Sequence, residues 1–534
     1  MKYLIYNVRY HVKDITPNYL LTDECNQIDN IIIELNQLIE NLDDGGLLFI
    51  TGLPFIVGQI CGKLNDYMVF KYWIACELEP IENKNDTPIS HYGVGFYQKV
   101  IKKPKPYTLN TFDFRVPHTY CPSCDKMTKD WGGKKHMLNP NGTAYSDVWE
   151  IDDKLKLQLN DLSPNILNII KNLVETPEDI VYINSTIIYD DRLNNSIINV
   201  VNYEDVVEYE YDNKVLNIDC VQFVEGLKEK YPDGVYDIAF SDPPYNLNKN
   251  YNKYEDNLRD SEYLMWCEEW LENKIKSLKP GGSLFVMNIP KWSIHHFNFL
   301  IKHMYFDKWI VWDALSTPAG KLMPAHYSIL HFVKPGKPKK VTNFMEYIPL
   351  KEYCLRQTCI NNRTNTETKL VNDFWRDCHR VKHQKNKNDH PCQLPIKLLN
   401  RIIVKYSHEN DRLFDPFGGT GSLAVAGKLK KRKFTLTDID IKYCEISEKN
   451  VERVVIDENG DLIYNLPKIK NTKIKSSQNN RLFEETYINL CIDKGKVIDK
   501  NDLEEISNEL YKMLEVYPKS FKKLQSLVKR LHFK

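Results

Sequence analysis

The sequence lacks several features that mark particular classes of protein. Its 72 basic residues are matched by 72 acidic ones, so the formal net charge is zero and no overall field attracts a polyanion. No apolar run approaches the roughly 20 residues that a membrane helix needs, and no signal peptide is visible after Met1. Thirteen scattered cysteines do not form a disulfide framework, because an odd number cannot pair completely. We therefore expect a cytoplasmic protein with reduced thiols, neither secreted nor bound to a membrane.

What the chain does contain is an internal repeat. A chain of 534 residues is longer than a single hydrophobic core usually accommodates, so more than one domain is expected. Trp73 follows Gly46 at the same separation at which Trp309 follows Gly282. The anchors that stay in register within one residue are Gly45-Gly46, Trp73, His91-Tyr92 and Tyr10 in the first segment, and Gly281-Gly282, Trp309, His326-Tyr327 and Tyr245 in the second. We interpret the two segments as copies of one fold.

Both copies alternate strand and helix patterns, which predicts an α/β architecture with a mainly parallel, doubly wound sheet. In the second copy, Ser261–Ser277 carries apolar residues on one helical face, and Pro280-Gly281-Gly282 is predicted to end that helix and start the next strand. Beyond the copies, Asp502–Glu515 and Ser520–Phe533 are predicted as two amphipathic helices of a small C-terminal extension.

The first chemically informative stretch follows a buried strand. The apolar run Tyr236–Phe240 ends in Ser241-Asp242-Pro243-Pro244-Tyr245-Asn246. Neither proline can donate to a sheet ladder or continue a helix, so the strand should open here into a rigid loop. This loop would present a carboxylate, carbonyl oxygens and an aromatic ring at the carboxyl edge of the sheet, where open α/β sheets bind ligands.

The second informative stretch is rich in glycine. The strand Arg412–Phe414 runs into Asp415-Pro416-Phe417-Gly418-Gly419-Thr420-Gly421-Ser422 and then into a helix. This arrangement brings backbone amides close to a ligand. The next strand ends at Asp438, where an acidic side chain can accept hydrogen bonds from both hydroxyls of a ribose. The glycines alone would also fit a plain tight turn, so Asp438 is the residue that favours a nucleotide-like ligand.

Together, the Asp242-Pro243-Pro244-Tyr245 loop, the glycine-rich stretch and His390–Pro395 just ahead of it resemble the amino-group DNA methyltransferases. The order of the loops, catalytic first and cofactor last, is similar to the β group of this N6-adenine/N4-cytosine family. The resemblance covers the second copy. It implies a Rossmann-like fold, S-adenosyl-L-methionine as cofactor, and direct in-line methyl transfer to the exocyclic amine of a flipped base.

The resemblance also implies a role for each motif residue. Asp242 and the Pro243 carbonyl would accept hydrogen bonds from the target amine, while Pro244 stiffens the loop and Tyr245 stacks on the base. The residues expected to bind the cofactor are Asp415, Phe417, Gly419, Gly421, Asp438, Asp219 and His390. Aspartate at position 242, followed by Asn246, favours adenine-N6 over cytosine-N4, although the same amine-binding chemistry serves both bases.

The first copy has lost both loops. Tyr6-Asn7-Val8-Arg9-Tyr10 aligns with the catalytic loop, and Ile183-Asn184-Ser185 aligns with Asp415-Pro416-Phe417. We therefore predict an inert copy that forms an internal pseudo-dimer with the active one, which fits a monomeric protein. The predicted boundaries are a degenerate domain over 1–190, a linker over 191–213, an active domain over 214–460 with a target-recognition insertion at about 339–388, and a linker with the small helical region over 461–534.

The candidate nucleic-acid contacts are cationic or imidazole side chains in the insertions of the two copies: Arg363, Arg376, Arg380, Lys382, His383, Lys134 and Lys135. Cys121-Pro122-Ser123-Cys124 is half of a zinc-ribbon pattern. No second Cys-x2-Cys follows at the required spacing, so no metal is expected, and Cys359 is taken as an ordinary thiol.

The sequence thus predicts a sequence-directed DNA methyltransferase that acts on the N6 amine of adenine. Double-stranded DNA is the expected partner, a cognate restriction endonuclease is a second candidate, and the setting is bacterial, archaeal or viral. The alternatives are a cytosine-N4 DNA methyltransferase, an RNA adenosine methyltransferase and an inert nucleic-acid-binding scaffold. The intact loops of the second copy argue against the scaffold.

Overall fold

The structure is a computed structural model, and its described residues cover most of both predicted copies. They are 1–11, 22–81, 87–103, 105–111, 114–121, 123–124, 126–127, 139, 142–154, 161–188, 208–249, 251, 253–314, 321–336, 346–349, 359, 368–378, 380, 393–458 and 460–465.

Eight strands of the described residues lie in the first part of the chain. They are β1 (Tyr3–His11), β2 (Leu47–Gly52), β3 (Met68–Ile81), β4 (Ile89–Lys99), β5 (Arg115–Val116), β6 (Thr143–Ala144), β7 (Val148–Lys154) and β8 (Ile180–Ile188). Six of them form a sheet with the order β7-β3-β4-β2-β1-β8, and β5 pairs with β6 separately. Strand β1 is parallel to β2 and β8, whereas β4 is antiparallel to β2 and β3.

Eleven further strands follow among the residues that the structure describes in the second part. They are β9 (Lys214–Asn217), β10 (Tyr236–Ser241), β11 (Leu278–Asn288), β12 (Tyr305–Asp313), β13 (His326–Val333), β14 (Tyr347–Pro349), β15 (Thr368–Leu370), β16 (Arg412–Asp415), β17 (Lys433–Asp438), β18 (Val454–Ile456) and β19 (Leu462–Tyr464). Seven form a sheet with the order β12-β13-β11-β10-β16-β17-β9, while β14 pairs with β15 and β18 with β19. Every residue of β10, β11 and β16 is buried, as expected for parallel strands covered on both faces.

In the described part of the chain, nine α-helices and one 3-10 turn connect these strands. The helices are α1 (Thr22–Glu40), α2 (Pro54–Cys61), α3 (Pro164–Leu173), α4 (Cys220–Leu227), α5 (Asp260–Ser277), α6 (Pro290–Leu300), α7 (Ile396–Tyr406), α8 (Ser422–Leu429) and α9 (Ile441–Glu452), and the turn is Pro177–Asp179. No helix within the described ranges is long and apolar enough to cross a membrane. The alternation of helices with parallel strands is the predicted α/β architecture.

One boundary differs from the prediction. Helix α5 ends at Ser277 and β11 begins at once, so Pro280-Gly281-Gly282 lies inside the strand and does not separate it from the helix. Gly281 has a φ of +79°, and the backbone of this segment pairs with Lys334 through the Gly281 N and the Gly282 carbonyl, at 3.1 and 2.9 Å. The glycines therefore bend the start of the strand and do not cap the helix.

Five strands have the same order and the same directions in both sheets. The series β3-β4-β2-β1-β8 corresponds to β12-β13-β11-β10-β16, with β4 and β13 as the antiparallel members. The register agrees as well. Leu47, which follows Gly46, pairs with Tyr3, and Ser283, which follows the equivalent Gly282, pairs with Ile238. The second sheet continues beyond β16 with β17 and β9, whereas β8 is the last strand of the first sheet among the described residues.

Residues at matching positions of the two sheets touch each other. The rings of Trp73 on β3 and Trp309 on β12 stack with centroids 4.4 Å apart and planes 5° from parallel. Both indoles are buried, so the stacked pair contributes strongly to the core that the two halves share.

Ion pairs also connect the two halves. Arg376 pairs with Glu77 and Glu150 of the first half, both at 2.9 Å.

Two aspartates make reciprocal contacts between the halves. The Asp147 carboxylate accepts a hydrogen bond from the Ala325 N at 2.8 Å, just before β13. The Asp373 carboxylate accepts one from the Ser90 N at 2.8 Å, near the start of β4. Such an exchange, in which each half contributes the same group to the other, is the pattern of a two-fold related interface.

The described residues divide into two compact units. The first contains both large sheets with their helices, and the second contains parts of 109–145 and 347–369, which we call the insertion unit. The predicted domain boundaries at 1–190, 191–213, 214–460 and 461–534 remain a proposal. The two predicted C-terminal helices lie outside the described residues.

Candidate active site

The candidate catalytic loop leaves the sheet at its topological switch point. Strand β10 continues to β11 on one side, while β16 and β17 lie on its other side. Asp242 directly follows β10, and Asp415 is the last residue of β16, its parallel neighbour. Crevices at the carboxyl ends of such strands are where open α/β sheets bind ligands, and both motif stretches meet there.

The loop after β10 is held by side chains that its own sequence does not reveal. The Tyr263 hydroxyl donates to the Pro244 carbonyl at 2.6 Å, and the Trp292 indole Nε1 donates to the Tyr245 carbonyl at 2.8 Å. The Pro243 carbonyl, between Asp242 and these two, accepts no hydrogen bond within the described part of the chain. One backbone oxygen of the loop is therefore left available for a ligand.

Asp256 fixes the residues that follow the prolines. Its carboxylate accepts hydrogen bonds from the backbone N of Asn246 at 2.7 Å, Leu247 at 3.1 Å and Lys249 at 2.9 Å. Asn246 itself adopts a left-handed φ of +55°, which asparagine tolerates better than most residues. Asp256 is buried and was missed by sequence reasoning, because no motif surrounds it.

The Asp242 carboxylate lies in a protected environment. The Tyr245 hydroxyl donates a short hydrogen bond to it. Burial raises the pKa of the Asp242 carboxyl to about 7, although the Tyr245 hydrogen bond and the Lys249 ammonium oppose the shift. Desolvation disfavours the charged form, so this carboxylate is a stronger hydrogen-bond acceptor and base than an exposed aspartate.

The glycine-rich turn is shaped by backbone conformation and by Asp438. Gly419 and Gly421 have φ values of +48° and +78°, in the left-handed region that favours glycine. The Gly419 N donates to the Asp438 carboxylate at 2.9 Å, and the Ser447 hydroxyl donates to the Gly419 carbonyl at 2.7 Å. A Cβ on Gly421 would lie 2.9 Å from the Cβ of Ser447, so a side chain would force the turn apart.

Three carboxyl groups of the same pocket have raised pKa values. The pocket is lined by Asp242, Asp415, Asp438 and Asp219 together with aromatic side chains. Burial raises the pKa of Asp415 to about 8, with further contributions from the Asp242 and Asp438 charges. Burial also raises the pKa of Asp438 to about 6. A pocket in which several carboxylates lack a full set of counter-charges favours a ligand that carries positive charge.

Lys274 is a second residue that sequence reasoning missed. Its side chain on α5 is fully buried, and its Nζ lies 4.4 Å from the centre of the Phe414 ring. Burial lowers the pKa of the Lys274 ammonium, while Cys220, Asp219 and Asp415 act against that shift. The amphipathic pattern of α5 gave no signal for it, because a lysine normally marks the solvated face of a helix.

The other predicted cofactor residues are placed as follows. Phe417 lines the pocket and packs edge-on against Trp270, with ring centroids 5.3 Å apart. Asp219 also lines it, but its carboxylate caps α4 by accepting from the Val221 N at 2.8 Å. His390 lies outside the described residues.

The predicted nucleic-acid residues are brought together only in part. Arg376 forms ion pairs with Glu77 and Glu150 within the protein, and its role as a nucleic-acid contact stays a prediction. Arg380 is exposed. The remaining candidates fall outside the described residues: Arg363, Lys382, His383, Lys134 and Lys135.

Comparison with known proteins identifies the class. The family model for DNA methylases matches residues 236–449, which include both motif loops. The Type II methyltransferase M.HpaI of Haemophilus parainfluenzae is 32% identical over 238 residues, which cover 44% of this chain and 73% of that enzyme. The chain belongs to this DNA methylase family.

Individual relatives can be named within it. The Type II methyltransferase M.BamHI of Bacillus amyloliquefaciens is 36% identical over 248 residues, 45% of this chain, and the chain spans only 57% of the length of that relative. Among solved structures, the M1.HpyAVI–SAM complex aligns at 16% identity with a TM-score of 0.31, covering 44% of this chain and 97% of that one. The cytosine-N4-specific PvuII DNA methyltransferase aligns at 18% identity with a TM-score of 0.32, covering 44% and 84%.

Proposed function

We propose that this protein is a DNA methyltransferase that uses S-adenosyl-L-methionine to methylate the N6 amine of adenine in double-stranded DNA. The observation that carries the proposal is the juxtaposition of Asp242 and the Pro243 carbonyl with the glycine-rich turn around Gly419 in one pocket. Family membership supports methylation of DNA, and the relative YhdJ of Escherichia coli, named a DNA adenine methyltransferase, supports adenine as the base.

The pocket fits the proposed cofactor in charge and shape. When bound, S-adenosyl-L-methionine supplies an electrophilic methyl group on a sulfonium, and its amino group carries a second positive charge. The carboxyls of Asp415, Asp438 and Asp242 line the pocket, and their pKa values are raised because burial disfavours their ionised forms. A positively charged ligand would favour those ionised forms. Gly419 lines the pocket, and Gly421 keeps the turn in place because a Cβ there would meet Ser447.

The chain's own residues would activate the amine. An exocyclic amine is a poor nucleophile because its lone pair is delocalised into the ring. Asp242 and the unused Pro243 carbonyl would accept its two N–H groups, which favours a pyramidal nitrogen with a directed lone pair. As the N–C bond forms and the S–C bond breaks, the nitrogen must lose a proton. The Asp242 carboxylate, with a pKa of about 7, is placed to accept it and pass it to water.

Tyr245 would provide the surface for the base. Its ring is buried beside Tyr327, with centroids 5.6 Å apart, and the Lys249 Nζ lies 5.2 Å from its centre. Its hydroxyl donates a hydrogen bond to the Asp242 carboxylate. An incoming amine would take over that hydrogen bond, and Pro244 keeps the loop backbone fixed during the exchange.

We also propose that the first half is an inert copy of the same fold. The shared strand order supports this, as does the position of Asn7, which the sheet register matches to Asp242. The Asn7 side-chain amide forms hydrogen bonds within the first half. It donates to the Asn184 side chain at 2.8 Å and accepts from the hydroxyls of Thr51 and Tyr92 at 2.8 and 2.7 Å. Strand β1 continues past this point along β8 as far as His11, so the residues that align with the catalytic loop are part of a strand.

This arrangement supports a monomer whose two halves form an internal pseudo-dimer. The target-recognition role of the insertion at 339–388 and the partnership with a cognate restriction endonuclease are further proposals. The relatives named Type II methyltransferases support the latter. Within the described residues, exposed Arg380 is the predicted contact that is best placed to reach DNA.

The base can be identified directly. Duplex DNA incubated with the protein and labelled cofactor should yield N6-methyladenine on nucleoside analysis, with single-stranded RNA unlabelled. N4-methylcytosine would assign the other amino-group chemistry, labelled RNA would point to an RNA enzyme, and no label in any substrate would favour an inert scaffold. Long-read sequencing of the methylated duplex would then give the target site.

Cofactor binding should release protons. Below about pH 6 to 8 the free pocket holds protons on Asp438, Asp242 and Asp415, whose raised pKa values favour the neutral forms. A positively charged ligand favours the ionised forms, so the affinity for the cofactor should rise with pH through this range. For each unit by which binding lowers the pKa of a carboxyl, the affinity above the range should be roughly tenfold higher than below it. Calorimetry near pH 7 in buffers of different ionisation enthalpy should show the release.

Asp415→Asn provides the matched variant, because it removes the group with the highest of the three pKa values. Its proton release between about pH 7 and 8 should be smaller than that of the unmodified protein. Binding heats that do not depend on the buffer would contradict this account of the pocket.

A further inference from the structure

Three cysteines from two distant segments converge in the insertion unit. The Sγ atoms of Cys121, Cys124 and Cys359 all lie within 4.8 Å of one another. Cys121 and Cys359 are almost fully buried, at 0% and 3% exposure, and Cys124 packs against them. The sequence alone indicated only the Cys121/Cys124 half of this group, since Cys359 is more than 200 residues away along the chain.

The local backbone around Cys121 and Cys124 has the form of a metal-binding turn. Tyr120 and Met127 form an antiparallel bridge that closes a short hairpin around the two cysteines. Inside it, the Cys121 N donates to the Lys126 carbonyl at 2.8 Å, and the Cys124 N donates to the Cys121 carbonyl at 3.3 Å. The tight turn directs both thiols to the same side, as a Cys-x2-Cys metal site requires.

The composition of the group favours a metal over packing. Among the described residues, this buried cluster consists of three thiols and contains no larger apolar side chain. Three small thiols bury too little apolar surface to hold two segments together. A single disulfide would use two of them and leave the third. Thiolates bound to one Zn²⁺ at about 2.3 Å lie about 3.8 Å apart, a spacing that the observed group can reach with small rotations.

We propose that Cys121, Cys124 and Cys359 bind a structural Zn²⁺ that joins 109–145 to 347–369. Zn²⁺ takes four ligands, so a fourth comes from outside these three. Binding displaces the thiol protons, and no redox change is involved. The site departs from the expectation of no metal. Because it links the insertion of the first half to that of the second, the ion would fix the shape of the insertion unit independently of methyl transfer.

Metal analysis of the full chain tests the proposal. Protein purified without chelators should contain about one zinc per chain by mass spectrometry. The variants Cys121→Ser and Cys359→Ser should each lose most of that zinc, because two remaining thiolates bind it far more weakly. Cys76→Ala, which removes a buried thiol from β3, should retain it. Zinc-free wild-type protein that does not take up added Zn²⁺, or unchanged zinc in both serine variants, would overturn the assignment.

A measurement on the unmodified chain covers the case in which the variants fail to fold. X-ray absorption at the zinc edge should show at least three sulfur neighbours at about 2.3 Å. Replacement by Co²⁺ should give the thiolate charge-transfer and visible bands of a tetrahedral site. A first shell of nitrogen and oxygen would refute the proposal. Neither readout depends on methylation, so failure of the proposed function would leave this result intact.

Discussion

Asp242→Ala should abolish methyl transfer while the fold and cofactor binding persist. The carboxylate is the charged acceptor at the end of β10, and an alanine leaves only the Pro243 carbonyl to position the amine. Loss of one preorganised electrostatic group at a reacting centre costs about 10² to 10³ in rate. Since this group would also accept the proton, we expect a loss of about 10³-fold or more. Single-turnover rates at saturating cofactor and DNA measure it directly.

Asp260→Asn is the matched control. This carboxylate lies at the start of α5, is 64% exposed and pairs with Lys291, so its loss should leave the rate unchanged. Asp242→Asn should fall between the control and Asp242→Ala, because the amide keeps the shape and an acceptor oxygen but loses the charge. Full activity in Asp242→Ala would remove the loop from the mechanism.

Gly421→Val should eliminate cofactor binding. The residue has a φ of +78°, and a Cβ added to it would lie 2.9 Å from the Cβ of Ser447, so a branched side chain is excluded by both backbone conformation and space. Strain of about 1 to 3 kcal/mol from the φ value, added to the steric overlap, should weaken binding by more than about 100-fold. Equilibrium dialysis should give one site per unmodified chain and none in the variant, since the first half lacks the turn.

Gly226→Val gives the same substitution where a Cβ meets nothing within 4 Å. It lies on α4 away from the pocket, so cofactor affinity should not change beyond a few fold. If one site per chain survived in Gly421→Val, the first half would be the binding copy. Two sites in the unmodified protein would show that both halves bind.

The parts of the site that follow strand ends could be predicted from the sequence. Asp242 and Asp415 each terminate a buried strand, and parallel strands bring their carboxyl ends to one edge. Local chemistry therefore sufficed to place them. Asp256, Tyr263 and Trp292 could not be found in this way, because their roles arise from hydrogen bonds to loop backbone that no sequence spacing encodes.

Long-range contacts account for the remaining differences. Arg376 was predicted to face nucleic acid as one charge in a basic stretch, yet carboxylates from another part of the chain bind it. Cys359 gave no signal beside Cys121 for the same reason. The start of β11 was misplaced because Pro280-Gly281-Gly282 pairs with Lys334, and that tertiary pairing overrides the local tendency of these residues to form a turn.

The exchange of Asp147 and Asp373 between the halves has an evolutionary consequence. Each aspartate holds the beginning of a strand in the opposite half, and the two tryptophans fill one shared space. A substitution at one of these positions would require a compensating substitution in the other half. The loop positions around Asn7 are not under this constraint. Under the proposed duplication, selection could therefore remove catalytic residues from one half while preserving the surface with which it supports the other.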